Sequence, residues 1–150
     1  MTATPTTPPR ARGFTIALPA GLPLLNANQR LHHHQRARHT ATLRAAATAA
    51  VANTPGLRAA LAAAKPGPLF QRAHILGVLH PHDRRRRDPA NYYPSFKAAI
   101  DGLVDTGLLD DDDHTHLIGP DMRIGHVVTG GRLVLHIRDL TEHDAWPDPP

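Results

Sequence analysis

The stretch from Arg84 to Asp113 runs a basic tract, a helix-forming segment and an acidic tract end to end, and it constrains the fold more than any other part of the chain. Phe96, Ile100, Leu103 and Gly107 recur at helical spacing, so one side of a helix there has to be buried. Lys97, Asp101 and Asp105 recur every four residues on the other side, which therefore faces water. Such a helix needs a sheet or a second helix to lie on. Asp88 before Pro89 reads as an N-cap, whereas Pro94 sits deep for that start, so regular helix begins either at Pro89 or only near Pro94. Gly107 closes the helix, Leu108 and Leu109 return to the core, and Asp110 to Asp113 lie in the turn that follows.

The remaining segments supply the partners. Phe14 to Leu18 alternates apolar and small residues and stops at Pro19, as a first strand does. A loop over Pro19 to Asn28 leads to a helix from about Arg30 to Ala52, favoured on propensity and apolar mainly through alanine. The turn Asn53 to Gly56 ends it, and Leu57 to Lys65 is a second short helix or a continuation. Phe70 to His80 reads as a strand. Beyond the acidic turn come three β-branched runs, His114 to Ile118, Ile124 to Val128 and Leu133 to Arg138, separated by Gly119-Pro120-Asp121 and by Thr129 to Gly131; the last two runs read as a hairpin about Gly130 and Gly131. This order gives an α+β fold, a small mixed β-sheet with helices packed on it, in a single domain over residues 13–143. Residues 1–12 are expected to form a disordered arm and residues 144–150 a flexible tail.

Composition agrees with one core. A chain of 150 residues fits one domain, and its 41% hydrophobic content together with 11 glycines reaches roughly the 45–50% usual for globular proteins. Seventeen Lys and Arg against 13 Asp and Glu leave a formal charge of +4, with four of the acids gathered at Asp110 to Asp113, so the rest of the surface is more basic and suits a polyanion. Cysteine is absent, which excludes disulfides and thiolate metal sites and is compatible with a reducing cytoplasm. No segment approaches the ~18 consecutive apolar residues of a membrane span, and residues 1–12 contain no apolar signal core. A cytoplasmic protein with no membrane partner is expected.

The central stretch brings phosphate-binding and metal-binding groups close in sequence. Hydrolysing a phosphodiester requires an activated water, neutralised oxygens and a stabilised leaving group, which one or two Mg²⁺ ions held by carboxylates can supply. Asp88 at the head of the helix and Asp111 or Asp112 after it would come together if the strand before the helix pairs with the strand after the acidic loop. Asp101 would reach the same place, with Lys97 one turn earlier holding a phosphate or developing charge. Each feature also has an ordinary reading: a solvated acidic turn, a solvated or nucleic-acid-facing arginine run, an N-cap at Asp88 and a surface ion pair between Lys97 and Asp101. Their co-occurrence is what favours a site.

The ordered set Asp83-Arg-Arg-Arg-Arg-Asp88, Asn91, Lys97-Ala-Ala-Ile-Asp101-Gly-Leu, Gly107 and Asp111-Asp112 resembles the signature of the RusA family of Holliday-junction resolvases. The likeness is strong over residues 83–114. It extends more weakly to the Leu18 to Arg30 loop and the Thr129 to His136 segment. The resemblance implies a small homodimeric α+β endonuclease that binds four-way DNA junctions and, with Mg²⁺ or Mn²⁺ in its place, nicks two opposed strands symmetrically in recombination and repair. Carried over by position, Asp88, Lys97 and Asp112 are the catalytic residues, Asp88, Asp101, Asp111 and Asp112 the metal ligands, and Arg84, Arg85, Arg86, Arg87 and Lys97 contact DNA. The family pattern Asp-x-Asp-Asn is here Asp88-Pro-Ala90-Asn91, and three extra residues, Pro94 among them, precede Lys97. Either Asp101, Asp111 or Asp113 completes the ligand set, or fewer protein ligands hold the metal, or cleavage is weak. A non-catalytic branched-DNA-binding protein that lost a ligand at Ala90 is the alternative, and a nuclease for flaps or forks a third reading.

The histidines stand apart. His32, His33 and His34 fall in the helical segment, where consecutive side chains point about 100° apart and would not share one metal. His32, Arg36 and Arg38 are instead candidate phosphate or junction contacts. His114 and His116 would share one strand face and support the aspartates.

Overall fold

The computed structural model describes residues 12–141, and the expected disordered arm before residue 12 and flexible tail over 144–150 lie outside the described residues. Four strands and three helices follow the chain as β1 (Gly13–Ala17), α1 (His33–Ala52), α2 (Leu57–Ala64), β2 (Ala73–His80), α3 (Tyr93–Asp105), β3 (Leu117–Ile124) and β4 (Arg132–Asp139), with a 3₁₀ turn over Pro89–Tyr92. The sheet is mixed, in the order β1-β4-β2-β3: β4 pairs antiparallel with β1 and β2, and β3 pairs parallel with β2. The α+β class inferred from the segment order is therefore the observed one.

Alternation along β2 shows which face is covered. Ala73, Ile75, Gly77 and Leu79 are buried and their neighbours only half-buried. Leu133, Leu135 and Ile137 continue the buried face on β4, and Ile16 on β1. On this face rest Phe96, Ile100 and Leu103 of α3 and Leu43, Ala47 and Val51 of α1, all in one core. The apolar stripe read from the sequence is thus the stripe that packs.

Two glycines let α3 sit as close as it does. A Cβ at Gly77 would lie 2.6 Å from the Phe96 ring, so the ring lies directly on the bare backbone of β2. A Cβ at Gly102 would lie 2.3 Å from the Arg44 carbonyl oxygen and 2.9 Å from Ala47 Cβ, which puts the backbones of α1 and α3 in near contact. Alanine dominance on α1, which gives a weak apolar signal in sequence, is what permits this approach.

Several expectations are corrected. The hairpin about Gly130 and Gly131 does not form: β2 lies between β3 and β4, so the turn carries the chain across β2 rather than back onto the preceding strand. Gly119-Pro120-Asp121 does not separate two strands but lies inside β3, where the register slips by one residue against His74 and Leu76. Gly119 takes φ +106°, and β3 is an edge strand, where proline is tolerated. His114 and His116 precede β3 instead of sharing a strand face. The two readings of the α3 start are reconciled, since Asp88 caps the 3₁₀ turn by accepting from Ala90 N–H at 3.0 Å and regular helix begins at Tyr93 with Pro94 in its first turn. No helix among the described residues is long and apolar enough to cross a membrane.

Gly102→Ala should cost about 1–3 kcal/mol, because overlap with the α1 backbone outweighs the gain in helix propensity. Urea denaturation should show a lower midpoint at unchanged slope.

Candidate active site

The outward side of α3 collects opposite charges. Lys97 Nζ donates to Asp101 Oδ1 at 2.6 Å and to Asp112 Oδ2 at 2.5 Å, joining the second turn of the helix to the acidic loop beyond it. The side chains of Lys97, Asp101 and Asp112 keep 40%, 28% and 22% of their exposure, so the cluster is half-buried yet reachable from solvent. Asp111 Oδ1 accepts from Asp112 N–H at 2.7 Å and braces the loop.

Electrostatics follow from this geometry. Partial burial works against the charge on Lys97, but the hydrogen bonds to Asp101 and Asp112 outweigh it and its pKa is raised. Lys97 in turn holds the Asp112 carboxyl below the ordinary carboxylate range, against a smaller opposing effect of burial. Asp113 is depressed further, by its bonds from Thr115 and His116. These make a separate knot that ties off the acidic loop where β3 begins.

Asp88 has a different environment. Its carboxylate is occupied as the cap of the 3₁₀ turn, and the parallel pairing of β2 with β3 that was to bring it to Asp111 or Asp112 is present. Among the described residues, however, the carboxylates of Asp88, Asp101, Asp111 and Asp112 form no group of three within 4.8 Å. The structure thus unites Lys97, Asp101 and Asp112, sets Asp111 beside them, and leaves Asp88 at the head of the helix.

The arginines divide into two kinds. Arg87 is pinned, its side chain only 12% exposed, with Nη1 at 2.7 Å from Asp83 Oδ1 and further bonds to the Asp83 and Arg85 carbonyls. The Asp83 hydrogen bond raises its pKa. Arg85 lies 3.8 Å from the same carboxylate, whereas Arg84 and Arg86 are exposed and belong to no ion pair among the described residues. On α1, Arg36 donates to the Gln29 carbonyl at 3.1 Å and so ties down the preceding loop, while Arg38 is exposed.

Sequence reasoning missed Ser95. It is fully buried, and its hydroxyl both accepts from Leu25 N–H at 2.6 Å and donates to Leu25 C=O at 2.8 Å. Next to it, Ala27 N–H donates to the Asn91 carbonyl at 2.7 Å. Three bonds of the loop at 25–27 therefore fix the head of α3. The available signal was a small polar residue at a position facing the helix's apolar side, next to Phe96. A cavity of about 470 Å³ opens beside this junction, with Asn28, His82, Arg87 and Tyr92 on its walls.

No protein-family model matches the chain, and no curated protein matches it.

Ser95→Ala should cost about 1–3 kcal/mol, since it strands a buried N–H and C=O of Leu25. Thermal melts of the Asp112→Asn variant test the ion pair. The folded pKa of Asp112 is depressed, so its stabilisation is present above the unfolded value near about 3.9 and is lost as pH falls through the lower folded value. At these exposures the wild-type advantage should be no more than about 1 kcal/mol at pH 7 and should shrink below about pH 4.

Proposed function

We propose that the chain is a Mg²⁺-dependent, structure-selective DNA endonuclease of the RusA-like type that acts as a homodimer on four-way junctions. The observation that carries the reading is the bridge from Lys97 to both Asp101 and Asp112, because it joins three residues of the ordered motif that lie up to fifteen positions apart. Two-fold symmetric nicking calls for two sites related by a two-fold axis, which a homodimer supplies.

The donor set fits the ion. Mg²⁺ takes oxygen ligands, keeps several waters and needs only one or two carboxylates. Lys97 uses Oδ1 of Asp101 and Oδ2 of Asp112, so the other oxygen of each carboxylate remains for a metal. Asp101 and Asp112 would hold it, with Asp111 adjoining. Bound there, the ion would lower the pKa of a water and neutralise phosphate oxygens.

The chain's own residues have definable parts. Lys97 stays protonated at neutral pH and so offers a permanent charge to a phosphate or a departing oxygen. Arg84 and Arg86 supply exposed charge for the backbone, and Arg87, braced by Asp83, holds the tract against the helix head. None of these reads a base, which suits recognition of junction shape.

A second reading rests on a specific observation. Ala90 stands where the family pattern has its second carboxylate, and no three carboxylates converge among the described residues, as expected of a branched-DNA-binding protein without catalysis. A nicking assay on a synthetic four-way junction, beside flaps and forks, separates the readings when combined with calorimetric Mg²⁺ titration. Paired nicks that require Mg²⁺ are expected, and Asp112→Asn should abolish them while leaving junction binding intact. Unchanged nicking by that variant overturns the site, and junction binding with neither Mg²⁺ uptake nor product favours the alternative. The pH–rate profile should show no loss attributable to Lys97 below about pH 10.4, its stabilising charge being lost only above that unfolded value.

A further inference from the structure

The segment at the start of α1 departs from the sequence reading in a way that creates a second cluster. His32 is not helical: it has φ −58° and ψ 143° and serves as N-cap, while His33 and His34 open the helix. The 100° argument against a shared metal therefore fails at this position. Ring centroids of the three lie 4.0–5.0 Å apart pairwise, and one nitrogen of each ring lies within 4.8 Å of the others.

We propose that His32, His33 and His34 bind a borderline divalent transition metal of the Zn²⁺ class, at a site separate from the aspartates of α3. Imidazole nitrogens suit Zn²⁺, Cu²⁺ and Ni²⁺, whereas Mg²⁺ prefers oxygen, so the two sites select different ions. Nitrogens held at about 2.0–2.1 Å from one Zn²⁺ lie about 3.3 Å apart in a tetrahedron. The rings must close by at most about 1.5 Å from their present 4.8 Å limit, which side-chain rotation of exposed residues supplies. A fourth position is left to water.

Two effects oppose binding and neither is large. His32 Nδ1 accepts from His34 N–H at 3.3 Å, and ligation through the other nitrogen puts a proton on Nδ1 and ends that bond. The bond is long and exposed. A helix N-terminus also disfavours a cation, but that effect is screened at an exposed site. The first turn of α1 holds no acidic residue, so three nitrogens form the whole local donor set.

The site would clamp the cap residue onto the first turn of α1. Arg36 ties the same turn to Gln29, and Ala27 ties that loop to Asn91 at the head of α3, so occupancy should register in the stability of the whole fold.

The test is calorimetric titration of the full chain with Zn²⁺ in millimolar Mg²⁺, together with melting curves. One Zn²⁺ per chain is expected, with a rise in Tm. His33→Ala and His34→Ala should each weaken binding at least about tenfold, since loss of a ligand should cost no less than loss of a partner behind one. The variant lacking all three imidazoles should lose the Tm rise, while Asp112→Asn keeps it. Circular dichroism checks that each variant retains its helices. No Zn²⁺ uptake, or uptake unchanged in the triple variant and so owed to other histidines, overturns the site. Neither outcome bears on the Mg²⁺-dependent nicking assigned to Asp112.

Discussion

Everything that this chain sets out on one surface depends on where α3 sits, and the seat is a contact between backbones. At Gly102 the helix meets the Arg44 carbonyl and Ala47 of α1 with no side chain between them, and one turn and a half earlier Phe96 lies flat on Gly77 of β2. Burying a phenylalanine of this kind is worth about 1.5–3 kcal/mol. The Arg44–Asp105 bridge, bidentate but 50% and 41% exposed, adds little beside that burial and serves to fix rotation. With both flat faces of α3 used, one strip of the helix remains outward. Lys97 and Asp101 are on it.

The order β1-β4-β2-β3 then determines what can approach that strip. A parallel β2-α3-β3 crossover brings the chain after α3 back toward the start of β2, and the acidic loop lies along that return path. Leu69 and Phe70 N–H groups donate to the Gly107 and Leu108 carbonyls, which holds the first part of the return against the core. Leu108 and Leu109 bury themselves there, and the polar remainder of the loop is left to meet Lys97. Two leucines followed by aspartates thus encode a loop with one end anchored and the other at the charged strip.

How much of this could be read in advance follows the range of the interactions. The apolar stripe of α3 and the i,i+4 pairing of Lys97 with Asp101 are local periodicities and appear as read, and the strand read over Phe70 to His80 forms over Ala73–His80. Strand order is not local. A Gly130-Gly131 turn reports that the chain reverses but not which strand it reverses onto, and here β4 passes β3 to pair with β2, whose two edges then carry β3 and β4. At Gly119-Pro120 the same residues that break a central strand were accommodated as a bulge on an edge strand. In the candidate site, Lys97 with Asp112 was legible only as an ordered motif, and Ser95 with Leu25 joins residues seventy positions apart, for which no local pattern exists. At His32 the difference is one of helix boundary: α1 starts at His33 rather than at about Arg30, so His32 is an N-cap and its ring lies beside those of His33 and His34.

The charge balance around Lys97 bears on the proposed nuclease chemistry. One ammonium between two carboxylates leaves a surplus of one negative charge, and Asp111 beside them adds another. Arg44, reaching over from α1, is committed to Asp105 of α3, and Arg87 to Asp83, so neither discharges the surplus. Burying more of it would be costly without a counter-ion. The cluster answers this by staying at 22–40% exposure, where water and a hydrated divalent cation can both reach the oxygens Lys97 does not use. For the proposed nuclease, the alanine at position 90 would matter less in such a site than in a closed one, because Mg²⁺ fills most of its shell with water. On this reasoning the lysine by itself keeps the two aspartates side by side, and the cost of bringing like charges together is met within the fold.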